Sequence, residues 1–136
     1  MKIKELEFIL EKSWCKETCV PSMQDNWSSN NPTLGQCAIT SLIVNDFCGG
    51  KIMRCMASTG SHYYNIINNE LVDLTREQFG EEVPGYEEGE ERTREYLLSN
   101  DDTKNRYYLL LSSVRENFRL YGNEEKNLIK VRRKNS

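Results

Sequence analysis

The sequence predicts an α+β fold in which a cysteine-bearing helix packs on a small antiparallel sheet and further helices fill the C-terminal half. Three observations carry this reading. Between Gln36 and Phe47 the apolar residues Ala38, Ile39, Leu42, Ile43 and Phe47 recur at helical spacing. Two short aromatic and aliphatic runs, Tyr63–Ile67 and Leu71–Leu74, flank Asn68-Asn69 as the arms of a hairpin flank its turn. Tyr107, Leu110, Leu111, Val114 and Phe118 form a second helical stripe. With 136 residues the chain suits one domain, residues 1–136, able to bury about two-thirds of its unfolded surface without metals or disulfides.

The elements follow in chain order. Ile3, Leu6, Ile9, Leu10 and Trp14 lie on one stripe of an amphipathic N-terminal helix that packs on the core. From Thr18 to Gly35, Pro21, Pro32 and the polar cluster Asn26–Asn31 indicate a long loop, with Trp27 as a packing anchor or as the wall of a pocket. Asn31-Pro32-Thr33-Leu34-Gly35 is a turn-and-cap stretch before the helix that begins at Gln36, and Gly49-Gly50 stop that helix. Lys51–Met56 reads as a strand, and Ser58-Thr59-Gly60 turns it into the next one, giving three antiparallel strands. Gly80–Gly89 contains glycine and proline breakers among acidic residues and reads as an exposed acidic loop. Helices are expected over Glu90–Leu98 and, after the break at Ser99-Asn100-Asp101-Asp102, through Leu120. Leu128, Ile129 and Val131 suit a short strand or helix, and Lys130–Lys134 a solvated basic tail.

Chemistry concentrates at Cys37, His62 and Asp73, in the order of a thiol nucleophile, its base and the group that orients the base. His62 is the one histidine of the chain, so an imidazole that activates Cys37 has to be His62. Cys37 falls in the first helical turn, where unpaired backbone N–H groups and the positive end of the helix dipole favour a thiolate and can receive an oxyanion. Asn31, Asn26, Gln36 and Trp27 are the candidates for a second oxyanion donor or for the pocket wall. An Asn-Asn turn tolerates positive φ. With two turn residues Ile67 faces Glu70, Tyr64 faces Asp73 and His62 faces Thr75, which puts His62 and Asp73 diagonally on one face. A three-residue turn would reverse that register. Taken singly, each residue has a plainer role: Cys37 as a small buried hydrophobe, His62 as a hydrogen-bonded strand residue, Asp73 as the start of a turn.

The runs NPTLGQCAITSLIVNDFCGGKIMR, GSHYYNIINNELVDLTREQF and RTREYLLSNDDTKNRYYLLLSSV resemble the YunG-like family of small bacterial proteins, over most of the chain. The Cys-His-Asp order also resembles the core shared by papain-like peptidases, transglutaminase-like proteins and arylamine N-acetyltransferases, in which a helix carries the cysteine and neighbouring antiparallel strands carry the histidine and the acid. That resemblance implies a papain-like or transglutaminase-like core with Cys37 as nucleophile, His62 as base and Asp73 as orienter. The glutamine that papain-like peptidases carry six residues before the cysteine is Asn31 here. The implied activity is that of a thiol-dependent hydrolase or acyltransferase on an amide or ester of a small molecule or peptide. The alternative is a noncatalytic binding or regulatory protein that retains the fold.

Composition narrows the remaining classes. A hydrophobic content of 38% with 29% charged residues describes an ordinary globular chain. With 18 basic and 21 acidic side chains the net charge is -3, so no basic field speaks for nucleic acid. Met1–Leu6 is interrupted by charge, and no apolar run reaches membrane-spanning length, so the expectation is a cytoplasmic chain without a membrane partner. Cys15, Cys19, Cys37, Cys48 and Cys55 are an odd set expected to stay reduced. Cys15 and Cys19 lack the second half of a zinc site, and no phosphate-cradling glycine loop occurs, so neither a metal nor an organic cofactor is expected.

Overall fold

The apolar stripe of residues 36–47 becomes the central helix of the protein because it is apolar on nearly every side and has to be covered all round. In the computed structural model, which describes residues 1–122, this helix is α2, Cys37–Cys48. Ile39 through Val44 are all buried, and α2 lies between a sheet on one side and two helices on the other: α1, Ile3–Ser13, and α4, Asp101–Asn117. Leu6, Ile9 and Leu10 of α1 meet Leu42, Ile43, Leu110 and Val114 in one core. The Trp14 indole, following α1, donates to Thr40 Oγ1 at 2.9 Å and fixes α1 against the first turns of α2.

The sheet has four strands in the order β3-β2-β1-β4: β1, Lys51–Ala57; β2, Gly60–Ile67; β3, Glu70–Val72; β4, Glu90–Arg92. The expected hairpin register is present, with Ile67 opposite Glu70, Ile66 opposite Leu71 and Asn65 opposite Val72. Asn68 and Asn69 sit at φ 52° and 67°, the left-handed pair that a two-residue hairpin turn demands. Asn65 donates to the Ser41 carbonyl of α2, and Tyr63 packs on the helical core. By alternation, His62 and Tyr64 face the other side of the sheet.

Four expectations require correction. The sheet has four strands instead of three, because Glu90–Arg92 pairs with the outer edge of β1. That triplet carries no apolar signal, and its charged side chains are those of an edge strand. The helix expected over Glu90–Leu98 is therefore only α3, Arg94–Leu98, started by Thr93, whose side chain accepts the Tyr96 N–H. The loop Gly80–Gly89 is not free of the body: Pro84 is buried, and the Gly85 N–H donates to the Met56 carbonyl at 2.9 Å. The helix expected through Leu120 is α-helical to Asn117 and ends in a π-helical turn, Phe118–Gly122. A 3₁₀ turn, Lys16–Thr18, leads into the long loop from Thr18, and a second, Pro21–Asn26, lies within it. Leu128, Ile129, Val131 and the basic run Lys130–Lys134 lie outside the described residues. No described helix is long and apolar enough to cross a membrane.

Candidate functional site

The approach to α2 is built by a close backbone contact. Gly35 has φ +68°, and a Cβ there would lie 2.6 Å from the Cys19 sulfur, so this position requires glycine both for its dihedral and for space. Its carbonyl accepts the Val20 N–H at 3.0 Å, and its N–H donates to Gln78 Oε1 at 3.3 Å. The turn is thereby tied to two separate segments, which fixes where Cys37 enters the helix. Gln36 occupies the cap position, but its side chain does not cap. Its amide nitrogen donates instead to the Cys15 carbonyl at 3.1 Å. The first turn of α2 thus carries Cys37 with no side chain covering its backbone N–H groups.

His62 is fully buried. Its Nε2 lies 2.6 Å from Asp73 Oδ2, which also accepts the Tyr86 hydroxyl at 2.5 Å. The other carboxylate oxygen accepts the Thr75 N–H at 3.2 Å and the Thr75 hydroxyl at 3.3 Å. Asp73 stands one residue beyond β3, where the register extended past Val72 would place it opposite Tyr64. The imidazole is walled by the edge-on Phe79 ring, 4.7 Å between centroids, and by Tyr64 and Tyr86. Each of its two nitrogens therefore has a distinct environment. Nε2 is committed to Asp73, whereas Nδ1 is buried and has no hydrogen-bond partner among the described residues.

Burial disfavours a charged imidazole, but the Asp73 hydrogen bond and the nearby Cys37 sulfur more than offset it, and His62 is raised from 6.5 to about 9. The Cys37 sulfur is one of the groups that raise the ring, although it and Nδ1 do not meet as a well-formed hydrogen bond. Such a contact tightens only when substrate is present in many thiol and hydroxyl sites. Burial, together with the Asp73 hydrogen bond, pushes the Tyr86 hydroxyl up, so it remains a proton donor to Asp73. Cys55, paired with His62 across β1 and β2, is held as a thiol: burial, then Asp73 and Cys37, push it up to about 11.

Cys37 opens onto a cavity of about 240 Å³ whose lining includes Met23, Tyr63, Gln78, Phe79 and Arg106. Of the residues expected from the sequence, Cys37, His62 and Asp73 come together as described. Trp27, Asn26 and Asn31 do not line this cavity, because the loop folds on itself: the Trp27 indole donates to the Pro32 carbonyl at 3.0 Å, Ser28 bridges to Asn31, and Asn26 is exposed at the end of a 3₁₀ turn. Gln36 is buried beside Cys15, outside the cavity lining. Sequence reasoning missed Tyr86 and Phe79 around the His62–Asp73 pair, whereas Thr75, expected across from His62, donates to Asp73 Oδ1. The signal for Tyr86 was an aromatic residue just after Pro84-Gly85, inside a stretch otherwise acidic and breaker-rich.

These features define a class of α+β protein in which a buried Asp–His pair, anchored by a tyrosine, stands beside a cysteine at the start of the central helix. Residues 2–119 match the model of the YunG protein family, and the chain belongs to that family. It is similar to the Uncharacterized protein YunG of Bacillus subtilis (strain 168), with 28% identity over 100 residues that cover 74% of this chain and 83% of that protein. No solved structure matches the chain.

Proposed function

We infer that the chain performs thiol-dependent acyl chemistry on an amide or ester, as a hydrolase or acyltransferase with a core of the papain-like or transglutaminase-like kind. The observation that carries this reading is the division of labour on the His62 ring: Nε2 is held by Asp73, and the buried Nδ1 has no hydrogen-bond partner among the described residues, while the Cys37 sulfur is one of the groups that raise the ring. In the first step His62 Nδ1 takes the Cys37 S–H proton, the sulfur forms a bond to the substrate carbonyl carbon, and the carbonyl π electrons move to the oxygen, which becomes an oxyanion facing the uncapped first turn of α2. The intermediate collapses with cleavage of the bond to the amine or alcohol, which takes its proton from His62. Water or an amine then attacks the thioester, gives its proton to His62 and releases the Cys37 sulfur. Asp73 orients the ring and stabilises the imidazolium throughout, and Tyr86 holds Asp73 in place. The five cysteines are all free, which suits the reducing cytoplasm as the place of action.

A second reading, a noncatalytic binding or regulatory protein, is favoured by one observation: His62 is fully buried beneath Phe79 and the tyrosines, as a structural histidine would be. Alkylation by iodoacetamide near neutral pH, read residue by residue by mass spectrometry, separates the two. The catalytic reading expects Cys37 to react before Cys19, Cys48 and Cys55, whose thiols burial pushes up. It also expects Asp73→Asn and His62→Ala to slow Cys37 in proteins that still melt cooperatively. Unchanged Cys37 rates in both variants would select the second reading.

A further inference from the structure

A second cavity, of about 290 Å³, lies apart from Cys37 and has a different chemistry. Glu7, Glu11 and Glu77 line it, and among the described residues no lysine or arginine does. Burial pushes the Glu7 carboxyl up, and Glu11 and Glu77 add to that effect, with Lys4 opposing them. The carboxylates therefore repel one another at a place that solvent only partly reaches.

Two further features point to a ligand. Both tryptophans of the chain, Trp14 and Trp27, form walls of this cavity, and their indole N–H groups are already committed to Thr40 and to the Pro32 carbonyl. What they offer the cavity is ring surface, which attracts cations through the negative face of the π-system. Thr33 is 3% exposed, lines the same cavity, and its hydroxyl has no hydrogen-bond partner among the described residues. A buried hydroxyl without a partner is an uncommon and unfavourable state that a bound N–H group would relieve. Among the described residues no group of three or more His, Cys, Asp or Glu side chains is placed to hold a metal ion, so the three carboxylates are spread too widely to close on one.

From these observations we propose that the cavity between Trp14 and Trp27 binds a small organic ammonium ion, whose N–H groups bond to Thr33 and to the glutamates while its charge rests against the indole walls. The site is independent of the chemistry inferred for Cys37, since that residue lines the other cavity.

The full chain titrated with 1,4-diaminobutane and followed by intrinsic fluorescence tests this directly, because every tryptophan of the protein borders the cavity. A saturable change is expected with the diamine, and none with 1,4-butanediol or with sodium chloride at matched ionic strength. Glu11→Gln combined with Glu77→Gln removes two exposed carboxylates and should weaken the apparent Kd about ten-fold, and Thr33→Val about five-fold. A non-saturable response, an equal response to the diol or the salt, or an unchanged Kd in the double glutamate variant overturns the proposal. Cys37 alkylation is untouched by any of these outcomes, so failure here and failure of the acyl-transfer reading are told apart.

Discussion

Because His62 is the only histidine, its protonation can be followed as one isolated imidazole signal by NMR, and the titration tests the site at its centre. The perturbation is Asp73→Asn, which keeps the shape of the side chain and removes the charge that accepts from Nε2 at 2.6 Å. In the wild type the ring should titrate near 9, well above its ordinary 6.5. That interval is equivalent to about 3 kcal/mol of preference for the imidazolium in the folded state. A pKa raised by folding gives stability that is fully present below pH 6.5 and is lost as pH rises through about 9. Around pH 7.5, where the unfolded ring is neutral and the folded ring still charged, stability should fall by about 1.4 kcal/mol per pH unit, measured by urea denaturation at a series of pH values. In Asp73→Asn burial is no longer offset by the carboxylate, so the midpoint should fall by at least about one unit and the stability slope should flatten. A wild-type midpoint at or below 6.5, or the same midpoint in both proteins, would refute the reasoning.

Other expectations follow from neighbouring contacts. Tyr86→Phe removes the hydroxyl that donates to Asp73 Oδ2 and should lower stability by about 1–2 kcal/mol in urea. The same variant should raise the His62 midpoint further, because Asp73 then has one donor fewer to stabilise its charge without the imidazole. Gly35→Ala places a Cβ against the Cys19 sulfur at positive φ and should destabilise by about 2 kcal/mol or more, read from the urea midpoint. Asn69→Gly in the β2–β3 turn relieves a left-handed asparagine and should raise stability by about 0.5 kcal/mol, with the cross-strand contacts of Tyr64 retained in NMR.

What the sequence disclosed and what it withheld separate along the distance over which each feature is decided. The turn at Asn68-Asn69 is local: two residues that tolerate positive φ set the register, and the period of two then fixes which side chains share a face. Cys37 at the start of α2 was legible for the same reason, since the glycine before it and the helical apolar spacing after it are close in the chain. Tyr86 was not, because it reaches Asp73 only after Pro84 and Gly85 dock on the Met56 carbonyl, a backbone bond with no side-chain signature. Strand β4 was hidden likewise: Glu90–Arg92 takes its conformation from the free edge of β1, not from its own residues. Trp27 reads as a packing anchor or as the wall of a pocket beside Cys37, and nothing near it in the chain says that the cavity it borders is a different one.

Asp73 joins these two scales. Its position after β3 permits the plain local role, in which one carboxylate oxygen turns the chain by accepting from Thr75 two residues on. Had β3 continued past Val72, residue 73 would be held in the ladder, and the carboxylate would lack the local donors that now fix its angle. With Oδ1 occupied locally, the carboxylate is oriented, and Oδ2 is left facing His62 and Tyr86. The turn-forming and ring-orienting roles of Asp73 therefore do not compete, because each uses a different oxygen of the same group. A substitution that preserved the turn while altering Oδ2 would leave the hairpin intact and change only the imidazole, which is why asparagine at this position, and not alanine, isolates the chemistry of His62 from the folding of the hairpin.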